Sequence, residues 1–283
     1  MEILFLGTAA AEGIPSIFCG CETCRQAASA GGRDLRTRCA FLVNRHLMLD
    51  LSPDIMFHKL RYNLDLAAVD SLCITHSHTD HLNVPDLTFR ACPVYACIPD
   101  ESPLKVYANK KSCDHIRDGM LYEFAAPEHP SFSIIEITSG SVIESRELKV
   151  TAFRAVHDSR EDCLFFLVEE GGKREKNFLQ VNDSALPYRE FEQDLARVLK
   201  GRKLNALSMD CTHCRGKGSG GHMGMEENIA LQKRLFDAEL ADENTLFFAN
   251  HFSHNGHSLH RELTGALAPY RITPAWDGMV LTI

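Results

Sequence analysis

Residues 75–81 read Thr75-His76-Ser77-His78-Thr79-Asp80-His81 and follow the apolar run 71–75, so a strand ends where the histidines begin. In extended backbone, side chains two apart point the same way, and His76 and His78 can therefore converge on one ion. Asp80 and His81 fall in the turn beyond and can face a second ion. A lone histidine at a strand end is more often solvated or capped than liganded. Four ligand-type side chains in six positions arise by chance in roughly one sequence in several hundred at this composition, so metal binding is the expected role.

Around this run the chain is rich in short β-type segments, at 3–6, 40–43, 47–51, 72–75, 150–155, 164–168, 178–181, 204–209, 246–249 and 279–283. Helical periodicity is clearest over 187–199, 225–235 and 258–267, with Pro187 suited to a helix start. Early strands lie a hairpin's length apart, whereas later ones alternate with helices. That pattern predicts an α/β fold, an αββα sandwich of two mixed sheets with helices on the outer faces. No fixed-period repeat or linker interrupts residues 1–283, so a single domain is expected, with 91–130 a candidate insertion over the site. The glycine-rich stretch 215–224 reads as a mobile loop.

Bulk composition narrows the setting. At 45% hydrophobic and 24% charged residues the chain is globular in type, and it contains no apolar run near the roughly 20 residues that span a bilayer. The start, Met1-Glu2-Ile3-Leu4-Phe5, carries an acid and no basic segment, which argues against a secretory signal. Eleven cysteines, mostly single and in apolar surroundings, suit a reducing compartment, and the cytoplasm is expected. A net charge of −8 argues against general nucleic-acid binding, which needs a basic surface.

The arrangement His-x-His-x-Asp-His after a strand resembles the signature of the metallo-β-lactamase superfamily. Further ligands expected from that resemblance fall in order after later strands: His157, Asp183 and His251. The resemblance implies one metal held by His76, His78, His157 and Asp183, and another held by Asp80, His81, Asp183 and His251. It also implies that Asp50 and Asp277 hold ligand imidazoles from outside, fixing their tautomers.

Near the amino terminus stands Cys19-Gly20-Cys21-Glu22-Thr23-Cys24. Three thiols at this spacing plus one nitrogen make a tetrahedral zinc site, and His254, one turn from His251, is the best candidate for the fourth ligand. A redox role for Cys21 and Cys24 is the rival, but no thioredoxin-like βαβ unit surrounds them. Together with the stretch Leu6-Gly7-Thr8-Ala9-Ala10-Ala11-Glu12-Gly13-Ile14-Pro15 and Arg36-Thr37-Arg38, the cysteines and His251-x-x-His254 resemble the phosphoribosyl cyclic phosphodiesterase family of carbon–phosphorus lyase pathways.

That resemblance implies a phosphodiesterase for a small cyclic phosphate or nucleotide-like diester, with two catalytic divalent ions (zinc, manganese or iron) supplying the hydroxide nucleophile and one structural zinc. Asp80 counts among the catalytic groups. His222, in Gly220-Gly221-His222-Met223, is the expected proton donor, with His213 its competitor. Arg36 and Arg38 are candidates to meet a substrate phosphate. The expected partner is a small molecule, with no membrane and no nucleic acid, and a homodimer is compatible with the sequence. Alternatives are a transfer-RNA 3′-processing endonuclease, a non-hydrolytic relative resembling the pyrroloquinoline quinone biosynthesis protein B, and a thioester hydrolase or lactamase. The pair Cys211-x-x-Cys214 beside the glycine-rich loop has no counterpart in the resemblance.

Overall fold

A computed structural model of the chain describes residues 1–98, 103–172 and 175–283. Strands buried at nearly every position, because each sheet is covered on both faces, build two sheets of seven strands. The first contains β1 (Glu2–Gly7), β2 (Ala40–Val43), β3 (Leu47–Leu49), β4 (Ser71–Cys73), β5 (Leu104–Ala108) and β6 (Phe132–Glu136). The second contains β7 (Val142–Ser145), β8 (Leu148–Arg154), β9 (Leu164–Glu170), β10 (Lys176–Val181), β11 (Ala206–Asp210), β12 (Leu246–Asn250) and β13 (Ile272–Pro274), and the last strand, β14 (Val280–Thr282), returns to pair with β1 in the first. In each sheet three antiparallel pairings give way to three parallel ones, so both sheets are mixed.

Helices cover the outer faces. Against the second sheet lie α1 (Glu22–Ala30), α5 (Phe191–Leu199), α6 (Met225–Asp237) and α7 (His260–Leu267), through Ala27, Leu195, Leu231 and Leu263. Against the first lie α2 (Ile55–Tyr62), α3 (Val84–Thr88) and α4 (Lys110–Phe124), through Ile55, Leu87 and Ile116. Between the sheets Phe5, Phe41, Phe178 and Phe248 meet edge-on or tilted at 4.9–6.2 Å between ring centres. The predicted αββα sandwich is thus the observed architecture.

Several boundaries differ from expectation for local reasons. The strand expected over 47–51 stops at Leu49 because Asp50 turns left-handed, with φ 65°. The helix expected from Pro187 begins at Phe191, since Arg234 donates to the carbonyls of Pro187 and Tyr188 and holds that stretch as a turn. Within 91–130, β5 pairs in register with both β4 and β6, and α4 packs on α3, so the segment extends the first sheet and its helical layer. Positions 99–102 of that expected insertion lie outside the described residues.

Candidate metal centre

Every expected catalytic ligand follows the carboxyl end of a strand: 76–81 after β4, His157 after β8, Asp183 after β10 and His251 after β12. Parallel pairing of β10, β11 and β12 brings those ends to one edge, and sheet-to-sheet packing sets the 76–81 loop opposite. Two of these ligands, Asp183 (φ 47°) and His251 (φ 58°), have left-handed backbones, as does Asp50. Non-glycine residues there store strain that surrounding contacts must hold.

Two groups of ligand atoms result. In one, His76 Nε2 lies 2.8 Å from His78 Nδ1, which lies 3.4 Å from His157 Nε2. In the other, His81 Nε2 is 3.0 Å from Asp80 Oδ2 and 2.7 Å from Asp183 Oδ2, and His251 Nε2 is 2.8 Å from that same oxygen. Asp183 Oδ1 turns the other way, 3.8 Å from His157 Nε2, so this carboxylate faces both groups.

The residues fit a cation by a direct test. His81 Nε2, His251 Nε2 and Asp183 Oδ2 are buried and close together, yet none makes a hydrogen bond. Buried polar atoms 2.7–2.8 Å apart and without hydrogen-bond geometry suit ligands about 2 Å from one ion. The opposite edge of each ring is partnered: His76 Nδ1 with Thr75 Oγ1 at 2.9 Å, His78 Nε2 with Asp158 Oδ2 at 3.3 Å, His157 Nδ1 with Gly221 O at 3.3 Å, His81 Nδ1 with Asp50 Oδ2 at 2.8 Å, and His251 Nδ1 with Thr212 Oγ1 at 2.9 Å. Such outer bonds fix which nitrogen is free to bind metal. Burial would raise the Asp183 carboxyl, but His251 and His81 outweigh it and hold the group well below the ordinary carboxylate range.

Asp158, next after His157, thus meets His78 from outside the cluster, and Arg160 holds it in turn at 2.7 Å. Asp50 takes the outer place expected of it. Asp277 does not: its oxygens accept from Thr8 Oγ1 (2.6 Å), Thr37 N (2.6 Å) and Thr37 Oγ1 (2.7 Å), tying the amino-terminal loop to the chain's end. Burial pushes its pKa up.

The arginines also differ from expectation. Arg36 is buried, donates to Thr8 Oγ1 and Ala275 O at 2.7 Å, lies 3.0 Å from His260 Nδ1 and stacks over Phe252. Arg38 pairs with Asp54 at 2.8 Å and donates to Ala11 O. The donors of Arg36 are committed to the scaffold, against the expected contact with a substrate phosphate, while Arg38 is held only through Nε and Nη1.

His222 stands beside both ligand groups, its ring centre 4.7 Å from that of His157 and 5.7 Å from that of His251. Its Nδ1 is 2.8 Å from Asp210 Oδ2, a fully buried carboxylate that also accepts from the Thr212 and Met223 amides. Burial works against charge on this ring, but Asp210, with Asp183 behind it, holds its pKa up at about 9. His213 instead lies 3.1 Å from Ser219 O, along its own loop.

That loop is pinned rather than free. Glu227 accepts from the Gly218 and Gly224 amides at 2.8 and 2.9 Å, and His213 N donates to Met223 O. Gly221, at φ 85°, packs so closely that a Cβ would lie 2.9 Å from His157 Cα, so only glycine permits this approach. Cys211 and Cys214 are buried in the turn, their thiols facing carbonyls of Cys214 and Ser253.

The cysteine group is separate. Cys19 Sγ and Cys21 Sγ lie 3.6 and 3.4 Å from His254 Nδ1, and Cys24 completes the set. Sulfur and nitrogen on one tetrahedral zinc stand about 3.5 Å apart, given bonds near 2.3 and 2.0 Å. Amides of Cys21, Cys24 and Ser16 point at the sulfurs, and Cys21 caps α1. The Cys24 amide and His254 hold the Cys21 thiol down at about 6.

A two-sheet αββα sandwich with this histidine and aspartate cluster at its strand ends is the metallo-β-lactamase fold, and the donor set gathered there fits divalent metal ions. The chain belongs to the family described as the β-lactamase superfamily domain, whose model matches residues 45–241. Among solved structures it is similar to a diphosphatase of the PhnP family (21% identity, 100% and 97% of the two chains, TM-score 0.76). It is similar also to zinc-bound PqqB from Methylobacterium extorquens (19% identity, 100% of both chains, TM-score 0.73). Ribonuclease BN of Cronobacter sakazakii is 26% identical over 61% of this chain and 51% of its own length, and a protein named octanoyltransferase from Porphyromonas gingivalis is 28% identical over 56% and 31%. The chain thus spans about a third to a half of these curated relatives. Among the described residues no helix is long and apolar enough to cross a membrane.

Proposed function

We propose that this protein is a hydrolase, a phosphodiesterase acting on a small cyclic phosphate or nucleotide-like phosphodiester. The observation that carries the reading is the convergence of three buried, unbonded ligand atoms from His81, Asp183 and His251, with Asp183 turned toward the second group as well. In this reading His76, His78 and His157 would hold one divalent ion and Asp80, His81 and His251 the other, with Asp183 available to both. The chemistry that two such cations would supply is a water of lowered pKa near neutral pH and positive charge beside a phosphoryl oxygen.

The chain's own groups do the rest. His78 and His222 have side chains 36% and 21% exposed, while His81 and His251 are at 1%, so substrate approaches from the side of His78 and His222. His222 Nδ1 is engaged by Asp210, which leaves Nε2 to deliver a proton to the departing alkoxide; His213 is turned away. Zinc is proposed for the site of Cys19, Cys21, Cys24 and His254, because three thiolates and one imidazole form a closed tetrahedral set. Eleven unpaired cysteines support a reducing, cytoplasmic setting.

The net charge of −8 favours a small substrate over RNA, although one similar structure is a human short-form tRNase Z (18% identity, TM-score 0.67). The metal-loaded protein should hydrolyse bis-p-nitrophenyl phosphate and a ribose cyclic phosphate but not acyl thioesters, β-lactams or precursor tRNA. In His222→Gln, turnover of the cyclic phosphate should drop about 100- to 10,000-fold with metal content unchanged. Efficient precursor-tRNA cleavage without cyclic phosphate turnover would overturn the small-diester reading.

A further inference from the structure

Between the sheets, the layer beneath the metal centre changes from aromatic to polar. On β10 the inward positions run Phe178, Gln180 and then Asn182 just beyond the strand's end; on β11, Ala206 and Ser208; on β12, Phe248 and Asn250. Gln180, Asn182, Ser208 and Asn250 are at most 1% exposed. A core position loses stability when it holds an amide instead of a hydrocarbon, unless the amide finds a partner that matters.

Two of these amides share one partner, and it lies across the sandwich. Asn182 Nδ2 is 2.8 Å and Asn250 Nδ2 3.4 Å from Cys39 Sγ, a thiol 1% exposed just before β2 in the first sheet. Ser208 Oγ extends the line, 3.3 Å from Asn182 Oδ1. Cys39 is itself tied to the amino-terminal loop through its amide on Ala9 O at 3.0 Å, and that loop pairs with Phe252, next after His251.

The position of the two asparagines gives the arrangement its meaning. Asn182 immediately precedes Asp183, and Asn250 immediately precedes His251, and both following residues have left-handed backbones. A strained turn keeps its shape only where neighbouring contacts over-determine it. We propose that Cys39 is a positioning residue: its sulfur, gripped by Asn182 and Asn250, clamps the two strained turns that present Asp183 and His251, and so sets the spacing of the ligands they carry. The inference rests on the ligand reading of Asp183 and His251. Without the clamp each ligand keeps its chemistry but loses its fixed place, and metal sites are sensitive to such supporting contacts by about 10- to 100-fold in affinity.

Cobalt(II) is the probe. Added to chelator-stripped protein, it shows a near-ultraviolet thiolate band at the cysteine site; because cobalt thiolates absorb in the visible too, the visible band of the nitrogen and oxygen sites is read after one equivalent of zinc has filled the cysteines and abolished the thiolate band. With affinity measured against a competing chelator, Cys39→Ala should weaken visible-band binding about 10- to 100-fold and leave the thiolate band alone. Cys39→Ser, which keeps an acceptor, should recover most of the loss. Asn182→Ala leaves the sulfur in place and should weaken binding likewise, which carries the test if Cys39→Ala does not fold. Parent-like cobalt affinity in Asn182→Ala and Cys39→Ala, even with a lowered melting temperature, would show plain packing and overturn the clamp. A parent protein with no visible cobalt band would instead remove the ligand reading, and the clamp with it.

Discussion

The catalytic cluster draws its histidines and aspartates from four separate stretches of chain, at 76–81, 157, 183 and 251, whereas the cysteine cluster takes three of its four ligands from the six positions 19–24. The first depends on the whole sandwich: strand ends from both sheets, two left-handed turns and an outer hydrogen bond on every ring. The second depends on one loop, the start of α1 and His254. The difference separates the roles. A closed set of sulfurs and one nitrogen leaves no position for substrate, while an open nitrogen and oxygen set at a strand edge does. His251 and His254, three residues apart, join the two clusters, so on the proposed reading the cysteine site would brace the rim of the catalytic one.

The comparison breaks most visibly at Asp183, which faces both ligand groups. Asp183→Ala should reduce phosphodiester turnover beyond the roughly 100- to 1000-fold that follows loss of a single electrostatic contact, with the circular dichroism spectrum retained. Turnover near the parent level would remove Asp183 from the centre. At the other cluster the balance should reverse. Cys21→Ser should release one zinc, measured by elemental analysis, and lower the melting temperature by several degrees, while catalytic metal remains bound; unchanged zinc content would refute the cysteine site.

A smaller effect sharpens the contrast between liganded and merely buried histidines. His58 is buried against Thr37 Oγ1 at 2.8 Å and belongs to neither cluster, and burial holds its pKa down at about 4 despite Asp54. The unfolded chain, with a histidine pKa near 6.5, takes up that proton first as pH falls, so stability declines between about 6.5 and 4 by up to ~3 kcal/mol. Urea unfolding of metal-free parent and His58→Gln should show a shallower decline in the variant across that window; identical slopes would contradict the assignment.

What the sequence disclosed was what local spacing encodes. Period-two spacing set His76 and His78 on one side, three cysteines within six positions declared a soft-metal site, and the apolar runs gave most strands. Hidden were groups whose meaning exists only across the fold. Asp210 and Glu227 are single acids that no motif singles out, yet one fixes His222 and the other the loop beside it. Asp277 and Arg36 take other places than expected because charge alone does not reveal that their bonds close on Thr8, Thr37 and Ala275. Strands β5 and β13 gain meaning only from parallel pairing, β5 between β4 and β6 and β13 at the edge beside β12.

Anomalous diffraction at several metal absorption edges, from crystals of protein purified with its metals, tests the central claim most directly. The predicted result is two ions on either side of Asp183, one bound by His76, His78 and His157 and the other by Asp80, His81 and His251, with zinc among Cys19, Cys21, Cys24 and His254. An absence of anomalous signal between residues 76–81 and Asp183, or side chains of residues 157, 183 and 251 turned away from that loop, would contradict it.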